Sequence, residues 1–132
     1  MNYQTPLARA RGLGSAREGS HHWWRQRVTA VALFPLTLWF ALAVSLLPAA
    51  AGHAEVVRWM AKPWNSILLL SFVLLSIYHA MLGLQVVIED YVHHDSLKLG
   101  GMLGVRLVSA FLALASTFAL LFIVFVLGHT HG

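Results

Sequence analysis

The chain has 132 residues, of which 58% are hydrophobic and only 11% are charged. Together with a mean hydropathy of +0.70, this composition excludes an ordinary soluble globule and indicates a single integral membrane domain. The absence of cysteine excludes disulfides, thiolate-held iron–sulfur clusters and thiol chemistry within the chain, so any metal ligand must be His or a carboxylate. The formal net charge is +4, and five arginines precede the first apolar run.

Residues 1–20 are rich in Gly, Arg and Ser without a sustained apolar period, which predicts a flexible arm. The segment HHWWRQR at 21–27 follows, and its Trp and Arg residues are typical of a membrane interface. His21 and Arg27 could also face a buried anionic group, because arginine binds carboxylates bidentately. We predict three membrane-spanning helices at about 28–47, 64–89 and 103–127, and a short polar tail at 128–132 that includes His129 and His131.

The second predicted helix contains an ionisable residue, His79, in a run of about 26 residues with no charge before its last residue. An ionisable group at such depth indicates a functional site. Gly83, one turn later on nearly the same face, leaves room for a flat cofactor or a neighbouring helix. Asp90 lies at nearly the same azimuth, about 16 Å along the axis, and Tyr91 follows it. The pattern therefore predicts a buried ligand or relay connected to a polar site at the membrane surface.

A packing histidine that hydrogen-bonds to a neighbouring helix is the structural alternative for His79. After the second helix, the pair Gly100 and Gly101 is predicted to end one helix and permit a tight return. Three spans put the termini on opposite sides of the membrane, and the positive-inside rule predicts a cytoplasmic N-terminus. The 21–27 segment is then expected at the same end as Asp90 and Tyr91.

Residues 21–127 resemble the small hydrophobic membrane anchor, a cytochrome b556 component, of bacterial succinate dehydrogenase, respiratory complex II. The most specific similarity consists of segments that follow one another in the order of a family motif: His79-Ala80, Gly83, Gln85-Val86 and Asp90-Tyr91-Val92. A second similarity is His21 with Arg27 and Val28-Thr29-Ala30. The resemblance implies an all-α membrane protein with three transmembrane helices, half of a complex II anchor-type helical bundle. It also implies the bacterial inner membrane, and the three spans with a cytoplasmic N-terminus then predict a C-terminus in the periplasm.

The resemblance assigns roles to five residues. His79 corresponds to an axial ligand of haem b, with a histidine of the other anchor protein on the opposite side of the iron. Ligation by two histidines suits electron transfer, because it leaves no open coordination site. His21 and Arg27 would lie near the haem propionates. Tyr91 corresponds to a residue that hydrogen-bonds a ubiquinone carbonyl, and Asp90 to one linked to the proton supply.

The implied function is that of a non-catalytic anchor of succinate:ubiquinone oxidoreductase, in the tricarboxylic acid cycle and aerobic respiratory chain. The implied partners are the second membrane anchor, which is the large cytochrome b556 subunit, together with an iron–sulfur subunit, a flavoprotein subunit and the lipid bilayer. Flavin and iron–sulfur chemistry would reside in the soluble subunits. The basic residues adjoin a membrane span, so nucleic-acid binding is not predicted.

Three alternatives follow from the same residues. Within the family, the chain could be a fumarate reductase-type anchor that oxidises quinol. Outside it, a small transporter or channel subunit without haem could use His79 and Asp90 as a proton path. A purely structural scaffold would leave His79 as a packing residue.

Overall fold

The computed structural model describes Leu7 and residues 17–127, with the side chains of Leu7 and residues 21–126. Residues 17–127 form four α-helices and no strand: α1 (Arg17–Ser45), α2 (His53–Ala61), α3 (Pro63–Tyr91) and α4 (Asp95–Phe122), which a π-helical turn, Ile123–Leu127, continues. Within this part of the chain, three helices are long and apolar enough to cross a membrane. The predicted all-α fold with three spans is therefore confirmed.

The predicted flexible arm and polar tail lie almost entirely outside the described residues. Of the arm at 1–20, only Leu7 and residues 17–20 are described, and all of them are helical. The tail at 128–132, with His129 and His131, is outside the described part. The arm and tail therefore stay predictions.

Helix α1 begins at Arg17, about three turns before the predicted start near residue 28. Trp, Arg and Gln all tolerate helical geometry, and no Gly or Pro interrupts residues 20–34, so the helix continues through the HHWWRQR segment. Pro35 lies inside the helix without ending it. The expected interface segment is thus a helical extension of the first span.

The short helix α2 crosses the end of the bundle opposite to the HHWWRQR segment. Val57 is its buried anchor, with 4% of its surface exposed. The ring of Trp59 stacks on Trp39 of α1, with centroids 6.3 Å apart and planes 13° apart. The Asn65 side-chain amide of α3 donates a hydrogen bond of 2.7 Å to the Trp59 carbonyl. These contacts fix α2 to the first two spans.

Helices α3 and α4 are joined by only three residues, 92–94, because α4 starts about two turns before the predicted residue 103. The prediction that Gly100 and Gly101 end a helix is wrong, since both lie inside α4. A Cβ at Gly101 would lie 3.4 Å from Ile88 Cδ1 of α3. The glycine therefore permits close packing of the two helices rather than a turn.

A lysine helps to end α3. The Lys98 Nζ of α4 donates a hydrogen bond of 3.1 Å to the carbonyl of Glu89, in the last turn of α3. The last carbonyls of a helix lack intrahelical partners, and a cation near them is favourable. This contact holds the two ends of the tight turn together.

Helix α3 is the central helix and packs against both α1 and α4. The two rings of Phe40 on α1 and Phe72 on α3 stack with centroids 5.0 Å apart. Among the described residues the buried set is small: Thr29, Val57, Leu69, Leu82, Gln85 and Leu120. Large apolar side chains on the outer faces of α1 and α4, such as Phe34 and Phe118, are exposed. The bundle therefore presents apolar surface outward, as a protein surrounded by lipid or by partner helices does.

Candidate functional site

His79 of α3 faces α1 and contacts two of its polar side chains. The Nδ1 atom lies 2.8 Å from Thr29 Oγ1. The Nε2 atom lies 3.5 Å from the Gln26 side-chain nitrogen, at the outer limit of a hydrogen bond. Thr29 is buried, with 6% of its surface exposed, and His79 is half-buried. One ring nitrogen is therefore held firmly and the other only loosely.

Thr29 Oγ1 also contacts the backbone of its own helix. It lies 2.9 Å from the Arg25 carbonyl oxygen and 3.0 Å from the Gln26 carbonyl oxygen. Ser and Thr side chains commonly make such bonds to carbonyls one turn earlier in a helix. The hydroxyl thus has three polar neighbours, of which the His79 ring is one.

A stripe of polar side chains on α1 borders His79. His22, Gln26 and Thr29 share one face of α1, because they are spaced by about one and two helical turns. His22 Nε2 and Gln26 Oε1 are buried and have no hydrogen-bond partner among the described residues. A Cβ at Gly83 would lie 3.6 Å from the Gln26 nitrogen, an ordinary contact distance, so the Gln26 side chain lies against α3 at this position. Gln26, whose Oε1 has unused hydrogen-bonding capacity, therefore lies beside His79, and His22 lies one turn further along the same face of α1.

The level of His79 in the span follows from the register of the helices. Gly101 packs against Ile88 in the antiparallel pair of α3 and α4, so Arg106 lies near the level of Gly83. Gln26 of α1 is next to Gly83 at the same level. From this level to the far end, each of the three spans has about 20 residues without a charged side chain, or about 30 Å. That length equals the hydrocarbon core of a bilayer.

His79 and Tyr91 consequently lie on opposite sides of the level of Gly83, where the layer without charged side chains begins. His79 is one turn inside the level of Gly83, about 6 Å into the apolar region. Tyr91 is about two turns outside it, or about 12 Å. The headgroup layer on each side is only about 5–7 Å thick, so the last turn of α3 reaches beyond it.

His21 and Arg27 do not join the contacts around His79. Both side chains are exposed. Arg27 is two residues from Thr29, or about 200° around α1, and so faces away from α3. Its guanidinium carbon lies 4.8 Å from the centre of the Trp23 ring, a cation–π contact. In the described chain these two residues therefore occupy the outer surface of the helical extension.

Asp90 and Tyr91 lie in the last turn of α3 and are exposed, with 78% of the Tyr91 surface accessible. The Tyr91 carbonyl oxygen lies 3.1 Å from His93 Nδ1 in the short turn. Along α3, Asp90 is about 16 Å from His79. The predicted sites therefore stay separate: one sits between α1 and α3, and one is a bare helix end.

The part of the site that α1 supplies is not predicted from the sequence. Neither His22 nor Gln26 is among the predicted site residues, and Thr29 is predicted only as part of a motif. The available signal was the spacing of His22, Gln26 and Thr29 on one helical face. A polar face at the start of an apolar span must contact protein or water rather than lipid. The spacing does not reveal which residue this face contacts, because the partner of Thr29 is His79, which lies 50 residues away in the sequence.

The described residues contain no group of three or more His, Cys, Asp or Glu that could hold a metal ion by itself. A haem iron requires less from the protein, because the porphyrin supplies four ligands and the protein only the axial ones. One neutral imidazole with a free ring nitrogen is a suitable axial ligand. The chemistry of His79 thus fits half of an axial pair.

Comparison with known proteins identifies the family. The sequence model of the family described as "Succinate dehydrogenase/Fumarate reductase transmembrane subunit" matches residues 1–127. The chain belongs to this family. No solved structure matches the chain.

Several curated relatives of this transmembrane protein are named "Succinate dehydrogenase hydrophobic membrane anchor subunit". The protein of Rickettsia bellii is 39% identical over 109 residues, which cover 82% of this chain and 86% of the relative. That of Rickettsia conorii is 38% identical over 98 residues, with 74% and 77% covered. That of Paracoccus denitrificans is 34% identical over 91 residues, with 69% and 70% covered. The predicted family is confirmed, and with three apolar helices the chain is a multi-pass membrane protein.

Proposed function

We propose that this chain is the membrane anchor of a succinate:ubiquinone oxidoreductase. It would supply His79 as one axial ligand of a haem b, and Tyr91 and Asp90 to the site where ubiquinone is reduced. The observation that carries the proposal is the environment of His79: Nδ1 lies 2.8 Å from Thr29 Oγ1, while Nε2 has only a long contact. Family membership and the names of the curated relatives support the succinate dehydrogenase assignment.

The residues of this chain fit half of a haem site. His79 would offer Nε2 to the iron, and a second anchor protein would supply the opposite ligand. The buried and unpartnered Gln26 Oε1 and His22 Nε2 lie on the same side and favour a polar group or water next to the site. A haem bound here supplies a one-electron carrier at the edge of the hydrocarbon region.

Arg27 and His21 are proposed as the basic neighbours of the haem propionates. Arg27 follows Gln26 at the level of Gly83, and His21 lies about 9 Å further out along α1, where carboxylates can be hydrated. Arginine favours carboxylates because its planar guanidinium can donate two parallel hydrogen bonds. Arg27 has an aromatic contact but no ion pair among the described residues, so its hydrogen-bonding capacity is available.

Tyr91 and Asp90 would act on the quinone. Reduction of a quinone to a quinol takes two electrons and two protons. The oxidation of succinate to fumarate supplies the two electrons. The Tyr91 hydroxyl would donate a hydrogen bond to one quinone carbonyl and hold the ring in place. Asp90, an exposed carboxyl group in the same turn, would pass one proton from water to that carbonyl oxygen, and the other carbonyl oxygen would take the second proton from water.

The proposed partners are a second membrane anchor, an iron–sulfur subunit and a flavoprotein subunit. The outward apolar faces of α1 and α4 favour packing against partner helices and lipid. The last turn of α3 extends about 12 Å beyond the hydrocarbon boundary, which favours a soluble partner covering it. We further propose the bacterial inner membrane, with the N-terminus in the cytoplasm, because the arginines cluster before α1.

The deciding test is a dithionite-reduced minus oxidised visible spectrum of the detergent-purified complex, with His79→Ala beside the wild type. We expect a b-type haem signal in the wild type that the variant loses or shifts. The matched control is His53→Ala, which removes an exposed histidine at the opposite end of the bundle and should leave the spectrum unchanged. An unchanged spectrum in His79→Ala would reject the ligand role.

A fumarate reductase-type anchor is the second candidate, because the matching family includes both enzymes. The curated relatives favour succinate oxidation, since their names specify succinate dehydrogenase. Measuring succinate-dependent quinone reduction and quinol-dependent fumarate reduction in the same sample separates the two.

A further inference from the structure

Thr29 has one proton to donate and three polar neighbours. A threonine hydroxyl combines a single O–H donor with two acceptor lone pairs. Two of its neighbours, the carbonyl oxygens of Arg25 and Gln26 at 2.9 and 3.0 Å, can only accept. The hydroxyl proton is therefore directed to its own helix, where a bifurcated bond is common geometry.

The third contact must then run in the opposite direction. With its proton directed to the carbonyls, Thr29 Oγ1 accepts a hydrogen bond from Nδ1–H of His79 at 2.8 Å. A neutral imidazole with a proton on Nδ1 has a lone pair on Nε2. The second contact agrees with this tautomer, because the Gln26 amide nitrogen 3.5 Å from Nε2 can donate but not accept.

We infer that Thr29 is a positioning residue that fixes His79 as the Nδ1–H tautomer and presents the Nε2 lone pair for axial ligation. This inference rests on the proposed function of His79 and adds to it a residue of α1. Metal-bound histidines generally donate their other ring N–H to an oxygen, which fixes the ring orientation and makes the imidazole a stronger electron donor.

The hydroxyl group, rather than the bulk of Thr29, carries this role. Valine has nearly the same shape as threonine and fills the same buried position, but it leaves Nδ1–H without an acceptor in an apolar region. The ring can then reorient, or adopt the tautomer with a proton on Nε2, which cannot ligate iron through that nitrogen. Serine keeps the hydroxyl and should keep the ligand geometry.

The test compares the purified complex carrying Thr29→Val, Thr29→Ser or Thr117→Val with the wild type. Thr117 is the matched control, because its hydroxyl donates to the Ala113 carbonyl at 2.8 Å within α4 and has no histidine neighbour among the described residues. Three quantities are measured: haem retained in the presence of excess apomyoglobin as acceptor, the ferric low-spin EPR spectrum, and the haem midpoint potential.

We expect Thr29→Val to lose haem about 10–100-fold more readily than the wild type. Its midpoint potential should rise, because an imidazole without the Nδ1 hydrogen bond donates less electron density to ferric iron. The EPR g values should shift, because they depend on the ring orientation. Thr29→Ser should restore all three quantities, and Thr117→Val should not change them.

Two failures can be told apart. If the wild type binds no haem, or if His79→Ala keeps an unchanged haem, the proposed function of His79 is wrong and the inference falls with it. If His79→Ala loses haem while Thr29→Val matches the wild type in retention, EPR spectrum and potential, only the inference is wrong. If the complex carrying Thr29→Val does not assemble, Thr29→Ala and Thr29→Ser are compared by the same three measurements. Loss of haem binding in both of these variants would also reject the role of the hydroxyl group.

Discussion

At the scale of single residues, the site combines polar groups that would each be costly in hydrocarbon alone. Thr29 and His79 satisfy one another, whereas Gln26 Oε1 and His22 Nε2 remain buried without a partner among the described residues. A buried polar atom without a partner costs about 1–3 kcal/mol. Such atoms at this position favour a site that is completed by another molecule, rather than a simple helix contact.

Gln26→Leu tests that interpretation. If Gln26 Oε1 has no partner in the assembled complex either, an apolar side chain of similar size should leave thermal stability unchanged or raise it by about 1 kcal/mol. If a bound group or water uses the amide, stability or haem retention should fall instead. The measurement is the unfolding temperature of the purified complex together with its haem content, each compared with the wild type.

Tyr91→Phe tests the proposed quinone contact. The substitution removes one hydroxyl from a side chain that is 78% exposed, so no structural cost is expected. Loss of a neutral hydrogen bond worth about 0.5–1.5 kcal/mol should lower succinate-dependent quinone reduction about 2–10-fold. Succinate oxidation with an artificial electron acceptor and the haem spectrum should not change. Tyr78→Phe on the same helix is the control, and unaltered quinone turnover in Tyr91→Phe would contradict the contact.

At the scale of elements, the sequence was sufficient for the spans and insufficient for their ends. Apolar runs of membrane length predict α1, α3 and α4, because in hydrocarbon a single segment can satisfy all its backbone hydrogen bonds only as an α-helix. The ends depend on contacts that a local pattern does not contain. Gly100 and Gly101 were predicted as a turn from their intrinsic flexibility, but α4 runs through both and packs Gly101 on Ile88 of the preceding helix.

The two glycines offer an internal comparison. Among the described residues, nothing lies within 4 Å of a Cβ at Gly100, whereas a Cβ at Gly101 meets Ile88 at 3.4 Å. Gly101→Val should therefore overpack the α3–α4 contact and destabilise it by about 1–3 kcal/mol. Gly100→Val has the same change in helix propensity without the contact. The unfolding temperatures of the two purified variants are compared, and equal values would exclude close packing at Gly101.

At the scale of the whole molecule, the three spans share one apolar layer about 30 Å thick, from the level of Gly83 to the far end. The same level separates His79 from Tyr91. The sequence already predicts a buried His79 and a polar site with Tyr91 at the membrane surface. The register of α3 against α4, which the pairing of Gly101 with Ile88 supplies, adds the distance of each residue from the level of Gly83.

The orientation in the membrane can be measured directly because the chain contains no cysteine. Ala50→Cys introduces a thiol at an exposed position in the α1–α2 connection, and Ser96→Cys one near the start of α4. With a cytoplasmic N-terminus, a membrane-impermeant maleimide should label Ala50→Cys in cells whose outer membrane has been permeabilised. Ser96→Cys should react only after the inner membrane is opened. The reverse result would contradict the proposed orientation.

The small buried set has a consequence for the cell. Only six described residues are buried, and most large side chains of α1 and α4 face outward. A chain with so few internal contacts gains much of its stability from whatever binds its folded form. Copies synthesised in excess over their partners should therefore be unfolded more often and degraded by membrane proteases. The abundance of this protein would then follow the supply of its partners rather than its own rate of synthesis.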